Sequence, residues 1–418
     1  ILIAMLLAVI AGFATGTDAD IAGITFYSIY DFVGGLFLNA LKMLIVPLIT
    51  ASIITGVAGI GIGDGFGRLG AKTVIYYFTT SLLAILTGLF FVNLIVPGVV
   101  NGVPAGGLMG LEADVSEIVA NSQGRGASDF LTVFERMVPT NIFKAAAEGQ
   151  MLGIITFSLI FAYYMVRIPS RYATAMTDFW QAMMMIMLKI TELVMMFAPI
   201  GVFALVAKVV ASTGFSAIMP LASFAGTVFL ALLFHSVITL PLLMAAVGKV
   251  HPVRHFQAML PALLMAFSTS SSAATLPVTL DSVEKRAGVS NRVSSFVLPL
   301  GATINMDGTA LYECVAVIFI AQAYGIDLSL GLQFLIVTTA LLTSVGVAGV
   351  PAASLVAIVV ILAAAGLPAE GIGLILAVDR ILDMCRTTVN VFSDSCGAVI
   401  IARSEGEDSV LAKIPDLR

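Results

Sequence analysis

Apolar residues along this chain come in runs of about 20 or more, separated by short charged or Gly/Pro-rich connections; Val74 to Val99 and Ala225 to Val247 are examples. Backbone amides at lipid depth need internal partners, so such runs form helices or a closed barrel, and runs of this length are helical. The breaks predict helices over 1–16, 26–60, 71–98, 140–166, 172–211 and 216–248. Two later stretches depart from this pattern. Pro252 to Leu280 carries the polar run Ser268-Thr-Ser-Ser-Ser272 and then Pro277, between apolar flanks too short to span separately. Leu328 to Ala369 carries no Lys, Arg or Glu, yet Thr343 to Pro351 interrupts it with small residues. Helices over 290–323 and 371–403 lie between and after these stretches, each with polar interruptions.

Basic residues orient the spans. Arg68, Lys72, Arg167, Arg171, Lys249, Arg254, Lys285, Arg286, Arg292 and Arg403 fall in connections that alternate to one side, which the positive-inside rule makes cytoplasmic. The connection 101–150 leans acidic through Glu112, Asp114, Glu117 and Asp129, as expected of an external loop. The alternation holds if each interrupted stretch is a hairpin entering and leaving on one side, the first from the cytoplasm and the second from outside. The expected fold is all-α and polytopic, with eight transmembrane helices, two re-entrant helical hairpins and inverted repeats. It sits in the cell inner (plasma) membrane, a lipid bilayer, with both termini cytoplasmic. Ile1 already lies inside an apolar run, so the pattern does not fix where the first helix starts.

Composition agrees: of 418 residues, 59% are hydrophobic and 11% charged, far from a soluble domain. The net charge of −5 says little about partners, and no nucleic-acid footprint is present. Cys314, Cys385 and Cys396 lack metal or redox spacing and read as buried thiols.

The last helix holds Asp379, Arg380, Asp383, Arg386 and Asp394 in an apolar stretch. Facing lipid, five charges would cost on the order of 15 kcal/mol, so they must face protein or a wet cavity. Asp383, Arg386, Thr387, Asn390 and Asp394 share one helical stripe, unlike a purely structural ion-pair network, which needs no Thr or Asn. A second cluster, Asn305-Met-Asp-Gly-Thr309, follows Gly301 and precedes Glu313. Gly, Asn and Asp weaken a helix, so this run should unwind and offer carbonyls beside a carboxylate, a hard oxygen site for a small cation. A carboxyl at Glu313, deep in an apolar helix, is a candidate proton carrier, because burial disfavours its charged form; a protonated, hydrogen-bonded core residue is the alternative.

The run Leu298-Pro-Leu-Gly-Ala-Thr-Ile-Asn-Met-Asp-Gly-Thr-Ala-Leu-Tyr312, together with Ser268 to Pro277, Gly346 to Pro351, Asp383 to Asp394, Tyr76-Tyr77 with Thr80-Ser81, and Ala198 to Leu205, resembles the glutamate and aspartate symporter family. That family includes the excitatory amino acid transporters of animals and sodium-aspartate transporters of archaea, and the likeness covers nearly the whole chain. It implies a homotrimer working by an elevator motion. Scaffold helices would lie in 1–62 and, with an external loop, in 101–211; transport-domain helix three would lie in 63–100 and the rest of the transport domain in 212–418. It also implies roles. Asp383 would bind the substrate amine and Arg386 the side-chain carboxylate, with hydrogen bonds from Thr387, Asn390 and Thr309 and Met306 beside them. Ser270, Ser271 and Ser272, with Val350, Pro351 and Ala353, would close over the substrate. Co-transported Na+ would bind at Asp394 with carbonyls of Gly301, Asn305 and Asn390, at Asp307 with Tyr77, Thr80, Ser81 and Asn305, and around Thr303, Ser344 and Val345. The implied cargo is an acidic amino acid; a proton- or cation-coupled C4-dicarboxylate carrier or a neutral amino acid carrier of the same family is the alternative.

The chain also departs from the family. Archaeal members place an Arg where this chain has Ser270 and animal ones where it has Met384; Arg380, one turn before Met384, is a candidate substitute. Other signals carry less. Gly65 to Gly70 fits a dinucleotide fingerprint by letter but follows a helix, not a strand. His251 and His255, beside a basic connection, read as a solvated turn. The pair Asp31 and Asp64 resembles intramembrane proteases by letter, yet a helix of about 30 residues would hold the two near 50 Å apart. An ion channel also uses polar broken helices. An Asp/Arg pair suited to a zwitterion with an extra carboxylate favours a carrier, and the chain is not expected to be an enzyme.

Overall fold

The computed structural model describes residues 2–411 apart from 62–66, 110, 112–134, 136, 149, 215, 217, 345–352 and 369–370. The acidic positions Glu112, Asp114, Glu117 and Asp129, the letter match at Asp64, and Val345, Val350 and Pro351 lie outside the described residues. Helices dominate; among the described residues the strands are two short hairpins, β1 (Asp20–Ile21) with β2 (Ile24–Thr25) and β3 (Val99–Val100) with β4 (Val103–Pro104). The first three spans are α1 (Leu2–Thr15), α2 (Phe26–Gly61, continuous through Pro47) and α3 (Gly67–Ile95).

The fourth and fifth spans are broken where the hydrophobic pattern reads them as continuous. Over 140–166 lie α4 (Ile142–Ala147) and α5 (Met151–Met165), and the Asn141 side chain caps α4 by accepting from the amides of Phe143 and Lys144 at 2.9 and 3.1 Å. Over 172–211 lie α6 (Ser170–Met196) and α7 (Ala198–Thr213), bent by 52°. Pro199 supplies the reason, since its ring and missing N–H cannot continue the preceding helix.

The sixth span joins α8 (Ile218–Phe234) and α9 (Leu240–Leu243) through a π-helical segment, His235–Thr239, and a second one, Met244–Gly248, ends it. Then α10 (Pro252–Thr269) and α11 (Ser272–Asp281) fold back on each other as a hairpin. Its tip turns at Ser270, whose φ of +52° is left-handed, and Ser271 caps α11 by accepting from the Ala274 amide at 3.2 Å. The second hairpin is α14 (Leu330–Ser344) packed on α15 (Ala353–Ala365). Between the hairpins, α12 (Asn291–Ile304) and α13 (Asp307–Ala323) are split at Asn305 and Met306, as the polar run requires. The chain's last helix is α16 (Ile372–Ser404).

Arg68–Ile95, Met219–Gly248 and Asn291–Ala323 are each long and apolar enough to cross a bilayer. The third differs in kind, because its most apolar window is wholly buried in protein. Around it pack α3, α8, α14, α15 and α16, so α13 is the axis on which the site is built. Separately, α2 packs on α5, α6 and α7, and α1 lies along α7. Outward-facing Phe13, Phe32, Phe90 and Leu242 are exposed, as lipid-facing side chains are. At the end bearing the basic connections, Lys72 donates to Glu405 at 2.5 Å, with Arg68 and Arg292 at 3.2 and 3.7 Å, and the hydrogen bond from Lys72 is the main cause that holds the Glu405 carboxyl below its usual range.

Candidate functional site

Breaking the helix at Asn305 and Met306 leaves the start of α13 facing the middle of α16, and the two meet across a row of polar side chains. Backbone contact there is close: a Cβ on Gly308 would sit 2.6 Å from the Arg386 carbonyl, so that position admits only glycine without displacement. Asn390 spans the join. Its Oδ1 accepts from the Gly308 amide at 2.7 Å, and its Nδ2 donates to Thr309 Oγ1 at 3.1 Å and lies 3.3 Å from Met306 Sδ.

One turn back along α16 lies a charged cluster. Arg386 is 1% exposed, and its Nη2 donates to Asp379 Oδ1 and Asp383 Oδ1, both at 2.9 Å. The guanidinium carbon stands 3.8 Å from the centroid of the Tyr312 ring, and the Tyr312 hydroxyl donates to Asp379 at 2.9 Å. Nε and Nη1 of Arg386 are buried without hydrogen-bond partners among the described residues. An arginine held by two nitrogen-bound carboxylates and a ring, with two nitrogens still to satisfy, is suited to a further carboxylate. Thr387 is buried beside it. Ser270 and Ser272 are buried, and the Ser270 hydroxyl has no partner among the described residues. Ala353 lies in the first turn of α15.

Arg380 pairs with Asp383 at 3.7 Å and is partly exposed, so it adjoins the cluster from outside. Glu313, on α13, is wholly buried; Thr343 donates to its Oε2 at 3.3 Å, its Oε1 has no partner among the described residues, and Arg386 is close enough to act on it electrostatically.

Deeper along α16, two buried carboxylates share one network. Asp307 accepts from Ser81 at 2.7 Å on Oδ1 and from Ser393 at 2.6 Å on Oδ2. Asp394 Oδ1 accepts from Asn305 Nδ2 at 2.9 Å, and the same nitrogen reaches Ser393 at 3.0 Å. Thr80 donates to Asn305 Oδ1 at 3.3 Å. Tyr77 donates to the Val297 carbonyl at 2.6 Å, and its hydroxyl and Asp394 both crowd Gly301, where a Cβ would meet them at 2.7 and 2.5 Å. Among the described residues neither carboxylate has a Lys or Arg partner, and no three His, Cys, Asp or Glu side chains cluster as transition-metal ligands. Hydroxyls, amide oxygens, carbonyls and one carboxylate each form a donor set for a hard monovalent or divalent cation. Of the third expected cation position, Thr303 turns its hydroxyl to Leu300 O and Ser344 to Leu341 O, both at 2.9 Å, and Val345 lies outside the described residues.

Four participants have no role in the expected site. Asp379 and Tyr312 hold Arg386, Ser393 links the two deep carboxylates, and His235 lies against Asp307. Asp379 had a visible signal, since it precedes Asp383 by four residues and Arg386 by seven on the same stripe. His235 also had one, as an ionisable residue inside an apolar run. The solvated turn expected at His251 and His255 holds only for His251. His255 is wholly buried in α10, where its Nε2 meets Ser395 Oγ at 2.9 Å, because one turn past Pro252 the helix already packs against α16.

Residues 1–404 match the family model described as the sodium:dicarboxylate symporter family. The chain is 34% identical over 405 residues to the proton/glutamate-aspartate symporter of Escherichia coli (strain K12), covering 97% of this chain and 92% of that protein. It is 36% identical over 374 residues to the proton/sodium-glutamate symport protein of Bacillus subtilis (strain 168), covering 90% and 86%. It is 35% identical over 450 aligned positions to excitatory amino acid transporter 3 of Mus musculus, covering 96% and 84%.

Proposed function

Because this chain belongs to the sodium:dicarboxylate symporter family, a family of membrane transporters and not of enzymes, we propose that it carries acidic amino acids into the cell together with sodium. The observation that supports this most is the Arg386 cluster: one buried guanidinium, two of whose nitrogens have no partner among the described residues, beside a carboxylate, Asp383, that can receive an amine. Glutamate and aspartate present that pair of groups in one small molecule. Substrate entering would take Asp383 for its amine and the open nitrogens of Arg386 for its side-chain carboxylate, while Asp379 and Tyr312 keep the guanidinium in place. Thr309, Thr387 and Asn390 would supply hydrogen bonds, with Met306 alongside. The tip serines Ser270, Ser271 and Ser272 and the second hairpin around Val350, Pro351 and Ala353 would cover it.

Sodium is the cation that the deep carboxylates call for. Buried charges without counter-ions are costly, and an entering cation neutralises them while hydroxyls and carbonyls complete its shell. The assignment is Asp394 with carbonyls of Gly301, Asn305 and Asn390, Asp307 with Tyr77, Thr80, Ser81 and Asn305, and a third position around Thr303, Ser344 and Val345. Under a tenfold gradient and 100 mV, each sodium supplies roughly 3.7 kcal/mol, enough to concentrate substrate several hundredfold. The packing of α3, α8, α14, α15 and α16 about α13 and of α10–α12 on α16, with α1, α2 and α5–α7 packed mainly among themselves, supports an elevator in which the first group moves against the second. The second group would hold a homotrimer together, with both chain termini cytoplasmic.

Proton coupling is a second reading, favoured by the half-satisfied carboxyl of Glu313 next to the Arg386 cluster. Uptake of labelled aspartate into proteoliposomes, with sodium, proton and potassium gradients varied singly, tests both readings. Uptake that continues unchanged when choline replaces sodium contradicts sodium coupling. If Glu313 carries the proton, Glu313→Gln flattens the pH dependence of uptake; a pH profile identical to the parent's leaves Glu313 as a core residue.

A further inference from the structure

His235 is a wholly buried ionisable side chain in an apolar span, beside Phe234, Val237 and Ile238, which are 41%, 48% and 43% exposed. It opens the π-helical segment His235–Thr239, in which the turn is widened by one residue and the side chains are redirected relative to a regular helix. The imidazole continues the buried face of α8 formed by Phe224, Val228 and Ala231, and its Nε2 lies 3.4 Å from Asp307 Oδ2. Its other ring nitrogen, Nδ1, is buried with no partner among the described residues. A bare lone pair tolerates that position better than an N–H would, so the network assigns the proton to Nε2 and makes the ring a neutral donor to Asp307.

The donors around Asp307 divide by chemistry. Ser81 and Ser393 carry hydroxyls whose oxygens can turn to a cation. An imidazole nitrogen that donates its proton to a carboxylate offers no lone pair, so His235 cannot act as a ligand through Nε2. Its place is behind the carboxylate, fixing the direction of Oδ2 from a third helix while Ser81 and Ser393 hold the carboxylate from α3 and α16. We propose that His235 is a positioning residue for the cation site built on Asp307, acting as an outer-shell hydrogen-bond donor that sets the site's affinity for sodium. The inference rests on the sodium coupling proposed above and adds a residue that the family resemblance did not supply.

Outer-shell donors to metal-binding carboxylates typically alter affinity by about 10- to 100-fold when removed. The test is the sodium concentration for half-maximal aspartate uptake, measured at saturating aspartate in proteoliposomes of the parent, His235→Gln and His235→Leu. Gln places an amide N–H close to where Nε2 stands, whereas Leu fills the space without a donor. His235→Leu should raise the half-maximal sodium concentration about tenfold or more, and His235→Gln should stay within about threefold of the parent. Equal sodium curves for Leu and the parent, or equal rises for Leu and Gln, would overturn the assignment. Should the Leu protein not be recovered from membranes, His235→Phe, a ring without a donor, is read by the same criteria. A parent whose uptake ignores sodium would instead refute the sodium reading itself, and that outcome is visible before any variant is made.

Discussion

Replacing Arg386 by Cys should abolish recognition of acidic amino acids, lowering affinity for aspartate and glutamate by two to three orders of magnitude or more. Truncating one partner of a buried charge pair typically costs about 3 to 5 kcal/mol, and here the lost guanidinium serves both the substrate and the two resident carboxylates. Without it, Asp379 and Asp383 face each other with only the half-exposed Arg380 nearby, 3.7 Å from Asp383. A substrate carboxylate would then meet two acids and no matching fork. An amine could still bind Asp383, so competition by serine and alanine should rise as aspartate competition falls. Arg386→Lys should fall between, since it restores charge but neither the planar fork nor the stack on Tyr312. Cys385 next door is partly exposed rather than buried with Arg386, in keeping with its place about 100° around the helix. Aspartate binding at parental affinity in Arg386→Cys, with no gain for serine or alanine, would move the carboxylate site to Arg380.

The second large effect is expected at Asp394. Asn at this position keeps an oxygen to accept from Asn305, as Asp394 does at 2.9 Å, so the change removes charge with little change of shape. Loss of one buried carboxylate from a cation shell should cost at least about 3 kcal/mol, a hundredfold or greater rise in the sodium needed for half-maximal uptake. Sodium titration of aspartate uptake is the check, and a curve that overlies the parent's would remove Asp394 from the cation site.

The fold and the outline of the site were readable because membrane burial leaves little freedom. Ionisable residues in apolar runs must face protein, so the stripe from Asp383 to Asp394 could be placed before any coordinates, and Asn305-Met306 broke the helix where Asn, Asp and Gly compete with its hydrogen bonds. What the pattern hides are features that leave hydropathy unchanged. The bend at Pro199 and the break before Met151 fall inside runs that average as apolar. The spacing of Phe224, Val228, Ala231 and His235 puts His235 on the buried face of its helix, but nothing in that spacing shows that it meets Asp307, 72 residues away. Helix-to-helix partners such as Tyr312 with Asp379, or His255 with Ser395, are separated by 67 and 140 residues and follow only from packing.

Titrating aspartate into the purified protein by calorimetry, in sodium chloride and in choline chloride of equal ionic strength, tests the central claim most directly, because it joins the Arg386 site to the deep carboxylates in one number. If sodium at the deep carboxylates favours the substrate-binding state, it strengthens aspartate binding, and aspartate strengthens sodium binding by the same factor. Aspartate should bind in sodium and lose at least tenfold in affinity in choline, whereas equal affinity in both salts, or no aspartate binding in either, would contradict a sodium-coupled acidic amino acid carrier.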